Sequence, residues 1–221
     1  MEDRNLTNLQ SDYRSSYDKV ADEYATRIYD ELQHKPFDRE LLDLFTSAVG
    51  KNGKVCDIGC GPGQITRYLH DRGVDITGID LSPEMVRVAR RLNSSITFSE
   101  GNMLSLNMSD ASVAGITAFY SIIHLPRPKV IDALREMQRV LMPGGLLLLA
   151  FHVGSDVIHF DEWWGNNVSV DFFFFPSAEM TDYLSSGGFN VEQVIEREPY
   201  PEIEHQSRRS YILATKSDWK G

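Results

Sequence analysis

The stretch Lys54-Val55-Cys56-Asp57-Ile58-Gly59-Cys60-Gly61-Pro62-Gly63 decides the fold of this 221-residue chain. Its first five residues form a β-rich run, glycine then occupies three alternate positions, and a helical stretch begins at Gln64. Alternate glycines let a backbone turn sharply and approach a ligand closely, while the first turn of a helix offers unpaired N–H groups to a carboxylate or phosphate. The stretch therefore predicts a ligand-binding turn between a strand and a helix.

Short apolar runs and helical stretches alternate along the rest of the chain. Strands are predicted at residues 54–58, 75–80, 95–98, 113–119, 146–151, 191–197 and 209–215. Helices are predicted at residues 17–32, 64–71, 83–92, 127–141 and 178–185. The alternation is typical of an α/β fold in which helices cover both faces of a parallel sheet, and the last two strands are expected to form a hairpin.

The composition limits the classes of partner. The formal charge is −10, from 22 basic and 32 acidic residues spread along the chain, whereas a nucleic-acid surface needs clustered Lys and Arg. Residues 1–10 are polar, and no apolar run approaches the ~20 residues that cross a bilayer. Cys56 and Cys60 have too few potential ligands nearby for a zinc site. We expect a cytoplasmic monomer or homodimer without a nucleic-acid, membrane or metal partner.

An acidic residue on the next strand indicates that the ligand contains a nucleoside. Asp80 ends that strand, where its carboxylate can accept two hydrogen bonds from a ribose diol. Dinucleotide-binding folds use Gly-x-Gly-x-x-Gly, but Gln64 occupies the position of the third glycine here. Asp57, in front of the loop, would repel a pyrophosphate and attract an ammonium. The spacing favours a methyltransferase cofactor over a nicotinamide dinucleotide.

Residues 57–63, 78–82 and 134–145 resemble the successive motifs of class I S-adenosylmethionine-dependent methyltransferases. Residues 17–24 resemble the leading helix of the branch that methylates small molecules, such as quinone-ring and natural-product methyltransferases. The resemblance implies a doubly wound, mostly parallel seven-stranded Rossmann-like sheet with an antiparallel C-terminal strand. It also implies S-adenosyl-L-methionine as cofactor and S-adenosyl-L-homocysteine as product. We expect a single domain over residues 1–221, with a lid helix region at 1–35 and an aromatic, substrate-side insertion after strand 5 at 152–176.

The resemblance also implies roles for individual residues in cofactor binding. Asp57 and the loop glycines would hold the methionine part, Asp80 the ribose hydroxyls, and Leu81 would pack on the adenine. Asn102 stands where the family usually has aspartate, and its carbonyl could still accept a hydrogen bond from the adenine amino group. Tyr24 could close over the cofactor carboxylate or only pack its helix. The predicted cofactor-binding residues are Tyr24, Asp57, Gly59, Gly61, Gly63, Asp80, Leu81, Asn102, Met103, Tyr120 and Ser121.

Histidines at strand ends are the candidates for proton transfer. His124 and His152 follow the fourth and fifth predicted strands, at the edge where ligands bind in such sheets, and His159 lies within the insertion. We predict His124 as the catalytic residue, although each histidine could instead hydrogen-bond a loop. The insertion is rich in aromatic rings that could line a substrate pocket or cover the sheet edge. The predicted substrate contacts are His152, Trp163, Trp164 and Phe174.

These features predict transfer of a methyl group to an oxygen, nitrogen or carbon atom of a small-molecule acceptor. One alternative is a non-catalytic S-adenosylmethionine-binding sensor or partner subunit, because none of the cofactor motifs is catalytic. A nicotinamide-dependent oxidoreductase is the other. A nucleic-acid methyltransferase is disfavoured, since Ser121-Ile122-Ile123-His124 replaces the Asn/Asp-Pro-Pro-Tyr type of motif used on bases.

Overall fold

The computed structural model describes residues 6–50 and 53–217. These residues form a seven-stranded sheet with the order β3-β2-β1-β4-β5-β9-β8 and a separate two-stranded hairpin, β6-β7. The strands are β1 (Val55–Ile58), β2 (Ile76–Asp80), β3 (Thr97–Glu100), β4 (Val113–Phe119), β5 (Leu141–His152), β6 (Val157–Trp163), β7 (Asn166–Phe173), β8 (Phe189–Arg197) and β9 (Arg209–Lys216). The helices are α1 (Leu6–Ile28), α2 (Pro36–Val49), α3 (Gln64–His70), α4 (Pro83–Leu92), α5 (Arg127–Val140) and α6 (Ser177–Ser186), with 3₁₀ turns at Glu31–His34 and Ile122–His124.

The sheet has the predicted Rossmann-like topology. Strands β3, β2, β1, β4 and β5 pair in parallel, and β9 is antiparallel to both of its neighbours, β5 and β8. The strand order reverses between β1 and β4, and crevices outside the carboxyl ends of strands at such a point bind ligands. The predicted doubly wound fold with an antiparallel C-terminal strand is confirmed.

Local sequence signals account for the elements beside this crevice. Strand β1 is buried at all four positions, as a central parallel strand must be. Helix α4 begins after Ser82, whose hydroxyl accepts a hydrogen bond from the backbone N–H of Met85 at 3.1 Å, and Pro83 fills its first turn. Because β1 and β2 end beside each other, the glycine turn and Asp80 lie at the same edge.

Several elements differ from the sequence prediction. The N-terminal helix begins at Leu6 and ends at Ile28, and no helix was predicted at Pro36–Val49, where α2 forms. Strand β5 begins at Leu141, so the Pro-Gly-Gly segment that was expected to separate helix from strand lies inside β5. The third strand lies at Thr97–Glu100 instead of residues 95–98. These shifts leave the strand order unchanged.

Helix α1 and the β6-β7 hairpin lie together over the carboxyl edge of the sheet. Helix α1 contacts both α4 and β7. Its Ser16 hydroxyl accepts a hydrogen bond from the backbone N–H of Ser169 at 2.8 Å, and Val20 packs with Val168 and Val170 of β7. The aromatic insertion is therefore a β-hairpin that packs on α1. Among the helices described, none is long and apolar enough to span a bilayer.

Candidate active site

A cavity of about 270 Å³ lies at the carboxyl ends of the parallel strands, beneath α1. One end of the cavity, which we call the loop half, is formed by the glycine turn, the end of β2 and the segment after β3. The other end, the aromatic half, is formed by α1, the 3₁₀ turn Ile122–His124, the end of β5, β7 and the loop between β8 and β9. The predicted residues that line the cavity are Tyr24, Gly59, Gly61, Asp80, Leu81, Asn102, Met103, Tyr120, Ser121, His124 and His152.

The glycine turn is shaped by close contact with the segment after β4. Gly59 has φ +72°, and a Cβ atom there would lie 2.3 Å from Ser121 Cβ. The backbone N–H groups of Gly59 and Cys60 both donate to the Ile79 carbonyl, at 2.8 and 3.0 Å. These N–H groups are therefore used within the fold, and a ligand's charged groups must be held largely by other residues.

Asp57 and Gly63 do not line the cavity, contrary to the predicted direct contacts. Asp57 is 1% exposed, and its carboxylate oxygens accept hydrogen bonds from Thr66 Oγ1 at 2.6 Å and Thr117 Oγ1 at 2.8 Å. Burial raises the pKa of Asp57 to about 6, although both threonines oppose that shift. Gly63 packs against Phe98, whose ring would lie 2.9 Å from a Cβ atom at this position. Both residues stabilise the turn without lining the cavity.

Asp80 connects the glycine turn to helix α4. Its Oδ2 accepts from the Gly61 backbone N–H at 2.8 Å, and its Oδ1 accepts from the Ser82 N–H at 2.9 Å. Each carboxylate oxygen can accept a further hydrogen bond, and the side chain lines the cavity. Burial raises the pKa of Asp80, while these backbone N–H groups favour its ionised form. An ionised carboxylate with free lone pairs suits a diol.

The amide of Asn102 is engaged with the lid helix. Its Oδ1 accepts from the Leu104 backbone N–H at 2.9 Å, and it exchanges two long hydrogen bonds with the Gln10 amide, at 3.4 and 3.3 Å. Met103 and Leu81 line the same end of the cavity. An adenine base that forms hydrogen bonds with the Asn102 amide would displace the side chain of Gln10, which lies on α1.

A buried polar cluster lines the cavity between the start of α3 and the loop that joins β8 to β9, and the sequence reasoning missed it. Lys35 is 5% exposed, and its ammonium lies 2.5 Å from Glu31 Oε2 and 3.3 Å from Glu204 Oε1. Gln64 Nε2 donates to Glu31 Oε1 at 3.1 Å, whereas Gln64 Oε1 is buried without a hydrogen-bond partner among the described residues. These side chains line the cavity together with Tyr24. The cluster offers a cation, a carboxylate and an unsatisfied acceptor to a ligand.

His124 lies in the aromatic half, between the lid helix and the hairpin. Its Nε2 lies 2.9 Å from the Tyr17 hydroxyl, and its ring contacts Tyr13 and Phe172 with centroids 5.4 and 5.1 Å away. Burial lowers the pKa of His124 to about 4, and the nearby Asp171 opposes that shift. The imidazole is therefore neutral at pH 7.

His152, the last residue of β5, also lines the cavity. Its ring stacks on Phe174, with centroids 4.9 Å apart, and lies 5.1 Å from the Tyr120 ring. Its Nδ1 lies 2.8 Å from Ser207 Oγ, on the loop between β8 and β9. Tyr120 has φ +54°, a conformation that bulky residues rarely adopt and that clusters at functional sites. Tyr120 and His152 thus form a rigid edge of the cavity.

The remaining predicted residues do not line the cavity. Trp163 packs edge-on against Tyr17 at 5.5 Å, and Trp164, which is 39% exposed, lies beneath the Arg27 guanidinium at 4.9 Å. Phe174 supports the His152 ring from behind. The third candidate base, His159, is exposed on the hairpin and lies 2.7 Å from Asp171 Oδ1. Across the described ranges, no group of three or more His, Cys, Asp and Glu residues could hold a metal ion.

The two cavity histidines predict how stability depends on pH. Their folded pKa values, about 4 for His124 and about 3 for His152, lie below the ordinary value of about 6.5. The unfolded chain then binds more protons, so the free energy of unfolding should decrease as pH falls from about 6.5 towards 4. Urea unfolding at pH 7 and pH 5 measures this loss, which should shrink in the His124→Gln/His152→Gln variant. Imidazole NMR signals assigned to His124 and His152 that titrate above pH 6 would contradict this prediction.

Comparison with known proteins agrees with this geometry. The family model described as "Methyltransferase domain" matches residues 55–145, which include the glycine turn and Asp80. The putative methyltransferase YqeM of Bacillus subtilis (strain 168) is 28% identical over 86% of this chain and 95% of its own length. A demethylmenaquinone methyltransferase of Renibacterium salmoninarum is 30% identical, but the match covers only 62% of each chain.

A solved structure extends the similarity to nearly the whole fold. It is the 1,6-didemethyltoxoflavin-N1-methyltransferase of Burkholderia thailandensis with bound 1,6-didemethyltoxoflavin and S-adenosylhomocysteine. It superposes with a TM-score of 0.76 and 18% identity, over 97% of this chain and 92% of its own. These similarities support a class I S-adenosylmethionine-dependent methyltransferase, with small-molecule methyltransferases among the relatives. They also support S-adenosylmethionine as the cofactor, since the structural neighbours include complexes with S-adenosylhomocysteine.

Proposed function

We propose that this chain transfers a methyl group from S-adenosylmethionine to an oxygen, nitrogen or carbon atom of a small-molecule acceptor with a flat, apolar body. The observation that carries this proposal is that the loop half and the aromatic half are continuous within one cavity. Relatives named for demethylmenaquinone and 1,6-didemethyltoxoflavin support a small-molecule acceptor. The acceptor would lie in the aromatic half, beside the part of the cavity that suits the cofactor.

The described residues fit the proposed cofactor. When bound, S-adenosylmethionine supplies the methyl group as an electrophile on its sulfonium. Asp80 would accept hydrogen bonds from the ribose hydroxyls, Leu81 and Met103 would pack on the adenine, and Asn102 would accept from its amino group. Tyr120 and Ser121 would lie near the methyl group, at the boundary between the two halves. Asp57 and Gly63 would contribute by holding the turn and not by direct contact.

The cofactor's amino-acid end would bind the Glu31, Lys35 and Gln64 cluster. An α-ammonium can donate to Gln64 Oε1, which has no hydrogen-bond partner in the described chain, and to Glu31. The α-carboxylate can accept from the Lys35 ammonium and the Tyr24 hydroxyl, which line the same part of the cavity. Burial of the cluster strengthens these charge-assisted hydrogen bonds, so binding would select the intact zwitterion.

This assignment predicts a ligand-dependent effect of Gln64→Met. S-adenosylhomocysteine should bind about tenfold more weakly, about 1.4 kcal/mol, because its ammonium loses an acceptor. 5′-Methylthioadenosine lacks the amino-acid end and should bind the variant and the original protein equally. Titration calorimetry with both ligands measures the difference. Equal weakening of both would show that Gln64 supports the site only indirectly.

His124 is proposed as the residue that contacts the acceptor next to Tyr17. Its Nε2 can exchange the hydrogen bond with the Tyr17 hydroxyl for one with an acceptor hydroxyl or amine, while Tyr13 and Phe172 supply ring surface beside it. A pKa of about 4 makes it a weak base at pH 7. Its contribution would be to position the acceptor, and orientation alone can supply ~7–11 kcal/mol of the barrier reduction.

We also propose that residues 1–221 act as one domain, since α1 and the β6-β7 hairpin complete the cavity that the sheet begins. The buried free thiols of Cys56 and Cys60 are consistent with the predicted cytoplasmic location.

Turnover with methyl-labelled S-adenosylmethionine tests the function. Phenols, aromatic amines and hydroxyquinones form the acceptor panel, and mass spectrometry identifies a product heavier by one methyl group. Asp80→Asn should abolish cofactor binding and serves as the inactive control. Binding of S-adenosylmethionine without transfer to any member of the panel would favour the non-catalytic sensor or partner subunit. Absence of S-adenosylmethionine binding would overturn the proposal.

A further inference from the structure

The side chain of Gln10, near the start of α1, lies at the end of the cavity proposed for adenine. Gln10 lines the cavity together with Leu81, Asn102 and Met103. Its Nε2 donates to Asn102 Oδ1 at 3.4 Å, and its Oε1 accepts from Asn102 Nδ2 at 3.3 Å. The two amides therefore form a closed pair, in which each side chain gives one hydrogen bond and receives one.

Backbone contacts fix which atom of the Asn102 amide faces each partner. Asn102 Oδ1 accepts from the Leu104 backbone N–H at 2.9 Å, so an exchanged amide would place one donor against another. The segment is further held by the Ser105 backbone N–H, which donates to the Asn102 carbonyl at 2.9 Å. Asn102 consequently presents an acceptor and a donor, in a fixed order, to the group that lies next to it.

Adenine offers the same pattern of donor and acceptor as the Gln10 amide. Its exocyclic amino group is a donor, and a ring nitrogen beside that group is an acceptor. An Asn or Gln amide pairs with this edge of the base through two hydrogen bonds. In the structure, Gln10 Nε2 therefore stands where the amino group would lie, and Gln10 Oε1 stands where the ring nitrogen would lie.

Resting on the proposed function, we propose that Gln10 is an internal competitor of the cofactor, whose amide pairs with Asn102 until the adenine base displaces it. The exchange replaces two hydrogen bonds of Asn102 by two of the same kind, so the contacts of the base with Leu81 and Met103 decide in favour of the cofactor. The apparent affinity for the cofactor is then reduced by the fraction of molecules in which Gln10 has left the site.

The rest of α1 can stay in place during this exchange. Leu9 and Tyr13, on either side of Gln10, are 6% and 5% exposed and belong to an apolar cluster with residues of β7. Farther along the helix, Asp18 Oδ1 accepts from Ser82 Oγ at 2.6 Å. Gln10 itself is only partly buried. Rotation of one side chain is therefore sufficient to open the adenine end of the cavity, while α1 continues to cover the aromatic half.

Gln10→Ala tests the inference, because alanine removes the competing amide and is a good helix former. S-adenosylhomocysteine should bind the variant about threefold more tightly, which corresponds to a Gln10 amide that is paired in about two-thirds of the molecules without ligand. 5′-Methylthioadenosine keeps the base and lacks the amino-acid end, and it should gain the same factor. Titration calorimetry measures both affinities. Unchanged or weaker binding of S-adenosylhomocysteine to Gln10→Ala would overturn the inference.

Two further variants separate competition for Asn102 from a general loosening of α1. In an Asn102→Ala background the amide pair is already absent, so adding Gln10→Ala should leave the affinity for S-adenosylhomocysteine unchanged. Arg14→Ala removes an exposed ion pair of 3.1 Å between α1 and Glu100, and it should also leave the affinity of the original protein unchanged. A threefold gain in either case would contradict the proposal.

The base of the ligand provides a second test. S-inosylhomocysteine carries a carbonyl in place of the amino group, so it offers an acceptor where Asn102 Oδ1 needs a donor. It should bind the original protein at least tenfold more weakly than S-adenosylhomocysteine, and Asn102→Ala should remove most of that difference. Equal binding of the two ligands to the original protein would show that Asn102 does not pair with the base, and the inference would fail.

The same calorimetry distinguishes the two levels of proposal. If S-adenosylhomocysteine binds the original protein and Gln10→Ala brings no gain, the competition by Gln10 fails while the proposed function stands. If S-adenosylhomocysteine does not bind the original protein or the variant, the proposed function itself fails.

Discussion

Replacing Arg197 by methionine is expected to lower the free energy of unfolding by about 3–5 kcal/mol, the usual effect of removing one partner from a buried ion pair. The Arg197 guanidinium lies 2.9 Å from Asp38 Oδ1 and 2.7 Å from Glu204 Oε2, and it donates to the Tyr211 hydroxyl at 2.7 Å. The carboxylate side chains are 2% and 0% exposed. Arg197 connects Asp38 of α2 to Glu204 of the loop between β8 and β9. The variant would leave these two buried carboxylates without their main cation.

Urea unfolding measures this effect, with Arg208→Met as the matched control. Arg208 is 53% exposed, and its pairs with Glu196 and Glu198 lie at the surface. Exposed pairs contribute about 0–1 kcal/mol, so the control should change stability by no more than that. Equal effects of the two substitutions would show that burial does not strengthen the Arg197 cluster.

The decrease of the free energy of unfolding at acidic pH gives an independent check on the Arg197 cluster. Burial alone would raise the pKa of Glu204, but the hydrogen bonds from Arg197 and the Tyr200 backbone N–H, together with the charges of Lys35 and Arg209, outweigh it and lower the pKa to about 2. A lowered carboxyl pKa adds stability above the unfolded value of about 4.3 and loses it as pH falls towards 2. In Arg197→Met this loss should begin at higher pH.

The fold was predictable where the deciding signals were local. The glycine turn, Asp80 and the cap at Ser82 each depend on residues that are neighbours in sequence, and the structure places all three at one edge of the sheet. Helix α2 also carried a local signal, since Leu41, Leu42, Phe45 and Val49 follow a helical period and are buried. That period was present in the sequence and was missed.

The site was less predictable, because its polar groups meet across long sequence separations. Lys35 contacts Glu204, 169 residues later, only because the loop between β8 and β9 folds back over the 3₁₀ turn. No spacing rule connects these residues. The aromatic content of the insertion suggested that Trp163 lines a pocket. In the structure Trp163 lies on the hairpin, and its ring packs against Tyr17 of α1. Composition identifies an aromatic surface but not the face that each ring occupies.

Asp57 shows that a residue of a recognised motif can have a structural role of its own. The family resemblance predicted that its carboxylate would hold the methionine part of the cofactor. In the structure both oxygens are taken by threonines of α3 and β4, so the acid fixes the start of α3 from inside the sheet. Through these two hydrogen bonds the Asp57 carboxylate connects β1 to α3 and to β4.

Gly59→Ala is expected to weaken S-adenosylhomocysteine binding by at least about 100-fold, about 2.7 kcal/mol. A Cβ atom at this position would lie 2.3 Å from Ser121 Cβ and 3.0 Å from Ser121 Oγ, and Ser121 is held by its hydrogen bond to the Ile58 carbonyl at 2.8 Å. Alanine also disfavours φ +72° by roughly 1–2 kcal/mol. The turn must therefore move away from the segment after β4, which widens the cavity where the cofactor would lie.

Gly73→Ala provides the control for backbone strain alone. Gly73 has φ +84°, but a Cβ atom added there would have no neighbouring atom within 4 Å, and the residue is remote from the cavity. This control should lose about 1–2 kcal/mol of stability and keep its affinity for S-adenosylhomocysteine. In the double variant Gly59→Ala/Ser121→Gly the clashing Cβ atom is absent, so part of the affinity should return. If the double variant binds no better than Gly59→Ala, strain in the turn and not its contact with Ser121 controls cofactor binding.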